Sequence, residues 1–151
     1  LAQALADYLP GWGWPGSAEE FIRAWLAADH VIDARLLQEI QQLRRRGVVC
    51  CLATSQERNR AEYMKTVMGF AEAFDHLFFS CELGCQKPQA AFYQAVQDRL
   101  TADREAVLFW DDNAANVEGA RRFGWQARVY TGFEPFCQAM DILIFQAKGE
   151  P

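Results

Sequence analysis

The sequence predicts an α/β fold, a three-layer sandwich with helices on both faces of a parallel sheet. Three observations carry that prediction. Beyond Gly47 the chain alternates short apolar runs with stretches of helical periodicity, the rhythm of βαβ units. The first run, Val48-Val49-Cys50-Cys51-Leu52-Ala53, is apolar throughout, as a strand buried on both faces should be. Polar residues gather at run ends, Thr54-Ser55 after the first run and Asp111-Asp112 after the third.

In chain order, the opening up to Pro15 is rich in Trp and Gly and reads as a loop after a short helix. Ser17 and Glu20 have the spacing of a capping box, and Phe21, Ile22, Trp25 and Leu26 form one apolar helical face behind it. Asp33 caps a second helix that turns Leu36, Leu37, Ile40 and Leu43 inward and stops at Gly47. Its last turn carries Arg44-Arg45-Arg46, which suits the helix dipole on a solvated face. The first strand, 48–53, is followed by a helix over 56–68 that Gly69 stops. His76-Leu77-Phe78-Phe79 is the second strand, and a helix from Pro88 to Arg99 turns Ala91, Phe92, Ala95 and Val96 inward. Ala106-Val107-Leu108-Phe109-Trp110 is the third strand, and Gly124 closes the helix from Asn113 to Phe123. A short fourth strand, Ala127 to Tyr130, and a last helix from Glu134 to Gln146 complete the series.

Composition bounds the rest. In 151 residues, 51% hydrophobic with five Trp and eleven Phe and only 23% charged, there is enough apolar mass for a core, so disorder is excluded. No apolar run reaches the roughly 18–20 residues of a membrane span, and the start lacks the plan of a signal peptide. A net charge of −5 argues against a nucleic-acid binder that works by bulk charge. The five cysteines include no C-x-x-C pair, and Cys81 and Cys85 have no second pair or nearby His for zinc. They read as reduced thiols, and the expected compartment is the cytoplasm.

Ligands of parallel sheets bind beyond the carboxyl ends of the strands, so the strand-end residues are the candidates for chemistry. Thr54 and Ser55 either cap the following helix or meet a ligand. Lys87 precedes Pro88, which holds it extended and starts the next helix. It is one of three lysines beside twelve arginines, and a compact ammonium suits a point contact to phosphate or carboxylate. Asp111 and Asp112 are adjacent carboxylates at the end of an apolar strand; they repel each other, and a divalent cation would offset both charges. Oxygen donors are what Mg²⁺ prefers. Asn116, four residues after Asp112, lies one helical turn on and can face the same place. A hydroxyl, a lysine and two acids at one sheet edge make an anion-plus-Mg²⁺ site suited to phosphoryl transfer. His30 and His76 lie outside this set and read as structural, and Arg58 and Arg60 read as a solvated helix face.

The ordered set Leu52-Ala53-Thr54-Ser55, Gly84-Cys85-Gln86-Lys87-Pro88 and Val107 through Ala120 resembles the haloacid dehalogenase-like hydrolase superfamily. Phe74-Asp75 and Phe123-Gly124 fit as well, and the resemblance runs from about Leu36 to Tyr130. It implies a Rossmann-like core with a helical cap. It makes Thr54 the hydroxyl that hydrogen-bonds the transferring phosphoryl group and Lys87 the cation that neutralises phosphate and nucleophile. It makes Asp112 the main Mg²⁺ acid, Asp111 the second acid and Asn116 a further support for the metal. Ser55 stands where an Asn is common, which leaves its substrate contact open. Dehalogenating members usually lack the acid pair, so the resemblance favours a Mg²⁺-dependent phosphatase acting on a small phosphorylated metabolite.

Family members begin with a strand ending in Asp-x-Asp, whose first Asp is the nucleophile, and no Asp-x-Asp occurs in these 151 residues. In the family that strand lies between those ending here at Thr54 and Asp111. The resemblance therefore implies a partial helical cap over residues 1–34 and a core over 35–151 that lacks its central first strand. The strand and cap entry would come to roughly 40–50 residues at ordinary element lengths. A sheet without its middle strand leaves backbone groups unpaired, so the chain reads as the C-terminal part of a longer protein, inactive alone. A short form completed by a second chain, or rearranged, is the alternative. The other functional readings are an inactive binding or regulatory domain and a 2-haloacid dehalogenase. Trp12, Trp14, Phe21 and Trp25 either shape a cap pocket or pack in a core.

Overall fold

Local capping chemistry organises the first third of the computed structural model, which describes residues 1–147. After a short α1 (Ala2–Ala6), the Ser17 hydroxyl accepts the Glu20 N–H at 3.2 Å and the Glu20 carboxylate accepts the Ser17 N–H at 2.7 Å. That reciprocal box starts α2 (Ala18–Ala28). The Asp33 carboxylate likewise takes the N–H groups of Arg35 and Leu36 to start α3 (Ala34–Arg45). α3 ends at a turn in which Gly47, at φ +86°, adopts the left-handed conformation that glycine tolerates best.

Four parallel strands follow in two pairs. β1 (Cys51–Thr54) pairs with β2 (His76–Phe79) from Cys51 opposite His76 to Thr54 opposite Phe79. β3 (Leu108–Asp111) pairs with β4 (Gln126–Val129) from Leu108 opposite Gln126 to Asp111 opposite Val129. Among the described residues the pairs remain two separate two-stranded sheets. α4 (Arg58–Thr66) and α5 (Phe70–Ala73) link β1 to β2, and α6 (Ser80–Leu83) and α7 (Ala90–Gln97) link β2 to β3. α8 (Ala114–Phe123) connects β3 to β4, and α9 (Phe133–Ala147) follows β4.

Side chains bridge what hydrogen bonds do not. One core joins Phe78 of β2 and Phe109 of β3 through Phe92, Tyr93 and Val96 of α7, with Val117 and Ala120 of α8 and Trp125 behind. Tyr93 and Phe92 are fully buried there, and each aromatic side chain of this size contributes on the order of 1.5–3 kcal/mol by leaving water. Ala61, Met64, Met68 and Phe79 form a second cluster between α4 and the first strand pair. A third cluster, under β3, gathers Leu43 of α3 with Phe136 and Met140 of α9. Helices thus cover both faces of the strands, the three layers expected.

β2 lies where it was predicted, whereas β1 and β3 start later than predicted for local reasons. Val48 donates its N–H to Leu43 in the turn closing α3, and Cys50 accepts the Asp75 N–H, so the ladder begins only at Cys51. Val49, predicted inside the strand, is 62% exposed. Residues 104–106 form a 3-10 turn, which delays β3 and places Asp111 within it. The helix predicted from Gln56 starts two residues later because Glu57 caps it, accepting the N–H groups of Asn59 and Arg60.

Two predicted surfaces are ties instead. Arg44 donates to Asp75 Oδ1 and to the carbonyls of Glu72 and Ala73, clamping α3 to the approach of β2. That bond to Arg44 is the main reason the Asp75 carboxyl lies below its ordinary pKa. Arg60 reaches back from α4 to the carbonyls of Leu26 and Asp29 and to the Asp29 carboxylate, and His30 pairs with the Tyr63 hydroxyl at 3.0 Å. These contacts seat α2 on the rest of the molecule. α2 buries only Ala18, Ile22 and Leu26; its Trp25 is 42% exposed and Trp12, ahead of the helix, 61% exposed, so neither joins a core. Among the described residues no helix is long and apolar enough to cross a membrane.

Candidate active site

Lys87 sits where the two strand pairs fail to meet. Its ammonium donates to the Ala53 carbonyl of β1 at 2.9 Å and to Asp111 Oδ2 of β3 at 2.5 Å. Both side chains are buried, 9% and 6% exposed, and the ammonium lies 5.5 Å from the centre of the Phe109 ring. A buried pair of this kind is tolerable only when its remaining polar atoms are also satisfied. Asp111 meets that condition: Oδ1 accepts the Asn113 N–H at 2.8 Å and the Asn116 side-chain amide at 3.0 Å. Burial alone would raise its pKa, but the bonds from Lys87, Asn116 and Asn113 outweigh burial and hold the carboxyl below its ordinary value.

The chain reaches this geometry because β3 turns directly into α8. Asn113 caps the helix through the Ala115 N–H at 2.9 Å, which brings Asn116 round to face Asp111 one turn later. Tyr93 donates its hydroxyl to the Asn116 carbonyl at 2.7 Å, and burial pushes this phenol up to about 12. Gly119 lets α8 approach the Lys87 loop. A β-carbon there would lie 2.9 Å from both the Pro88 carbonyl and the Tyr93 hydroxyl.

On the β1 side, Thr54 is half-buried, and its hydroxyl accepts the Gln56 side-chain amide at 3.1 Å. Glu57, not Thr54 or Ser55, caps α4, so neither hydroxyl is spent on the helix. Ser80 ties Gln56 in place: the Gln56 N–H donates to the Ser80 hydroxyl at 3.0 Å and that hydroxyl donates to the Gln56 carbonyl at 3.1 Å. A groove of about 560 Å³ opens here, lined in part by Ser55, Gln56, Ser80 and Gln86.

The structure therefore joins Lys87 and Asn116 to the two oxygens of Asp111 and sets the end of β1 against the same ammonium. Ser55 and Asp112 stay exposed, and neither side chain takes part in a hydrogen bond among the described residues. Asp111, read from the sequence as a second metal acid, has both oxygens in hydrogen bonds, with Lys87, Asn113 and Asn116. No group of three or more His, Cys, Asp or Glu among the described residues is placed to hold a metal. At the β3 end, the oxygens left uncommitted among the described residues include the Asp112 carboxylate and the Asn116 amide oxygen, both hard donors that suit Mg²⁺ as part of a larger ligand set. Sequence reasoning missed Gln56, Ser80, Tyr93 and Gly119. Gly119, inside a helix where glycine costs about 1 kcal/mol, carried a readable signal; the others carried none.

A family model described as haloacid dehalogenase-like hydrolase matches residues 10–124. (S)-2-haloacid dehalogenase of Pseudomonas sp. (strain YL) is 29% identical over 106 residues, covering 68% of this chain and 46% of that protein. Bifunctional epoxide hydrolase 2 of Rattus norvegicus is 30% identical over 97 residues, 62% of this chain and 18% of that protein. The chain thus spans less than half the length of these relatives. An enzyme of the same family from Bacteroides thetaiotaomicron, solved as a mutant in complex with magnesium and inorganic phosphate, superposes with a TM-score of 0.71 at 19% identity. That match covers 85% of this chain and 69% of the other and shows a shared fold.

Proposed function

The chain belongs to the haloacid dehalogenase-like hydrolases, and from that premise we propose that it carries the anion- and metal-binding part of a Mg²⁺-dependent phosphohydrolase. Its substrate is a small phosphorylated metabolite. The observation that carries this reading is the division of labour within the acid pair. Asp111 is consumed by Lys87 and Asn116, while Asp112, one residue on, is exposed at the same strand end with no partner among the described residues.

The Thr54 hydroxyl hydrogen-bonds the phosphoryl oxygens, and Lys87, already fixed by Ala53 and Asp111, offers its remaining N–H to the same group. Asp112 and the Asn116 amide oxygen would hold Mg²⁺. When bound, the ion neutralises charge on the phosphoryl group. The nucleophilic aspartate comes from a strand outside the described residues that enters between β1 and β3 and joins the two sheets into one. Another segment of a longer protein or a second chain supplies it. Residues 1–34 act as part of a cap and 35–151 as the core.

The dehalogenase among the relatives favours a second reading, halide release from a 2-haloacid. The two activities separate cleanly in one preparation of the full-length protein. Phosphate release from an aryl phosphate, dependent on Mg²⁺, is the expected result. Chloride release from 2-chloropropionate without metal supports the second reading, and phosphate binding without turnover of either substrate makes the chain a binding domain.

A further inference from the structure

We propose that Gln56 is a positioning residue for anion capture: its carboxamide sets the direction in which the Thr54 hydroxyl donates. The inference rests on the reading of Thr54 as a phosphate-binding hydroxyl and goes beyond it to a residue that touches no phosphate.

A threonine hydroxyl has one proton to donate and two lone pairs that accept. At a strand end such a proton is easily lost to a nearby carbonyl, which leaves the oxygen facing an incoming anion with its lone pairs. Here the Gln56 amide N–H points into one lone pair at 3.1 Å. The proton is thereby turned away from Gln56, and no described hydrogen bond has the Thr54 hydroxyl as its donor. It is oriented and unspent. A donor fixed before the anion arrives costs no reorganisation when it binds.

Gln56 can exert this control because its own backbone is held. Its N–H and C=O form the reciprocal pair with the Ser80 hydroxyl at 3.0 and 3.1 Å, tying the end of β1 to the residue that follows β2. Only the side-chain torsions remain free, and they reach back two residues to the hydroxyl. Gln56 also lines the groove that opens beyond the end of β1.

The test is a titration of the full-length protein with inorganic phosphate in the presence of Mg²⁺, followed by calorimetry, on four proteins. They are the parent, Gln56→Met, Thr54→Val and the double variant; both substitutions nearly keep side-chain volume. Gln56→Met should weaken phosphate binding about three- to tenfold beside Thr54, the scale of one oriented hydrogen bond. In the Thr54→Val background it should change binding less than about twofold. Equal weakening in both backgrounds marks a packing role and overturns the proposal, as does no weakening in either. If Thr54→Val leaves binding unchanged, or the parent binds no phosphate, the reading of Thr54 fails and the inference goes with it. Should Gln56→Met not fold, Gln56→Glu replaces it. A carboxylate can only accept, so it draws the Thr54 proton to itself, and its penalty must be larger beside Thr54 than beside Val.

Discussion

The ends of β1 and β3 approach the same ammonium, that of Lys87, and are built in opposite ways. At β3 the Asp111 carboxylate is 6% exposed and takes bonds on both oxygens, from Lys87, Asn113 and Asn116. At β1 the Thr54 hydroxyl is half-buried, holds a single amide and opens beside a groove. The first end is closed on itself; the second keeps a donor in reserve. The contrast teaches that two residues at matching strand ends, one in each strand pair, divide stability and ligand binding between them. Changes at Asp111 should cost folding, and changes at Thr54 should cost binding.

The largest expected effect is Asp111→Ala. It leaves the Lys87 ammonium buried with one neutral carbonyl, and a broken buried pair costs about 3–5 kcal/mol, read as a fall in the denaturant midpoint. A loss below about 1 kcal/mol would mean that water or another acid rescues Lys87. Gly119→Ala comes next, at about 1–3 kcal/mol, because the new methyl must displace the Pro88 carbonyl or the Tyr93 hydroxyl. Acid should weaken the protein through the same residue. The folded pKa of Asp111 is depressed, so its contribution is complete above the unfolded carboxylate value of about 4 and is lost as pH falls through the folded one. Unfolding free energy measured between neutral pH and the acid range should therefore drop less steeply in Asp111→Asn than in the parent. The smallest effect is that of Thr54→Val on stability, below about 0.5 kcal/mol. A larger value would erase the contrast between the two strand ends.

Much of this contrast was legible before the structure, and the illegible part has a physical pattern. The Ser17–Glu20 box, the Asp33 cap and the helix stop at Gly124 are fixed by neighbours within a few residues, so sequence spacing exposes them. Strand ends depend on a partner. The apolar run from Val48 reads as strand, yet pairing starts where Cys51 meets His76. Thr54, Lys87 and the acid pair were legible as residue types at strand ends. What each one does with its polar atoms was not, because the Lys87–Asp111 pair joins residues 24 positions apart. The Arg60 tie to Asp29 and the Arg44 tie to Asp75 span 31 positions each, and both arginines read as solvated for the same reason. Glu57 displaced Thr54 and Ser55 as the cap of α4 although Ser and Thr are the commoner choice.

The most direct test of the account is Asp112→Asn in the full-length protein, measured for both thermal unfolding and Mg²⁺-dependent phosphate release. Asp112 is exposed, so the midpoint should stay within a degree or two of the parent, on the order of a neutral surface change, while phosphate release falls at least about a hundredfold. Full turnover at an unchanged midpoint would contradict the assignment of Asp112 to the metal and with it the proposed phosphohydrolase.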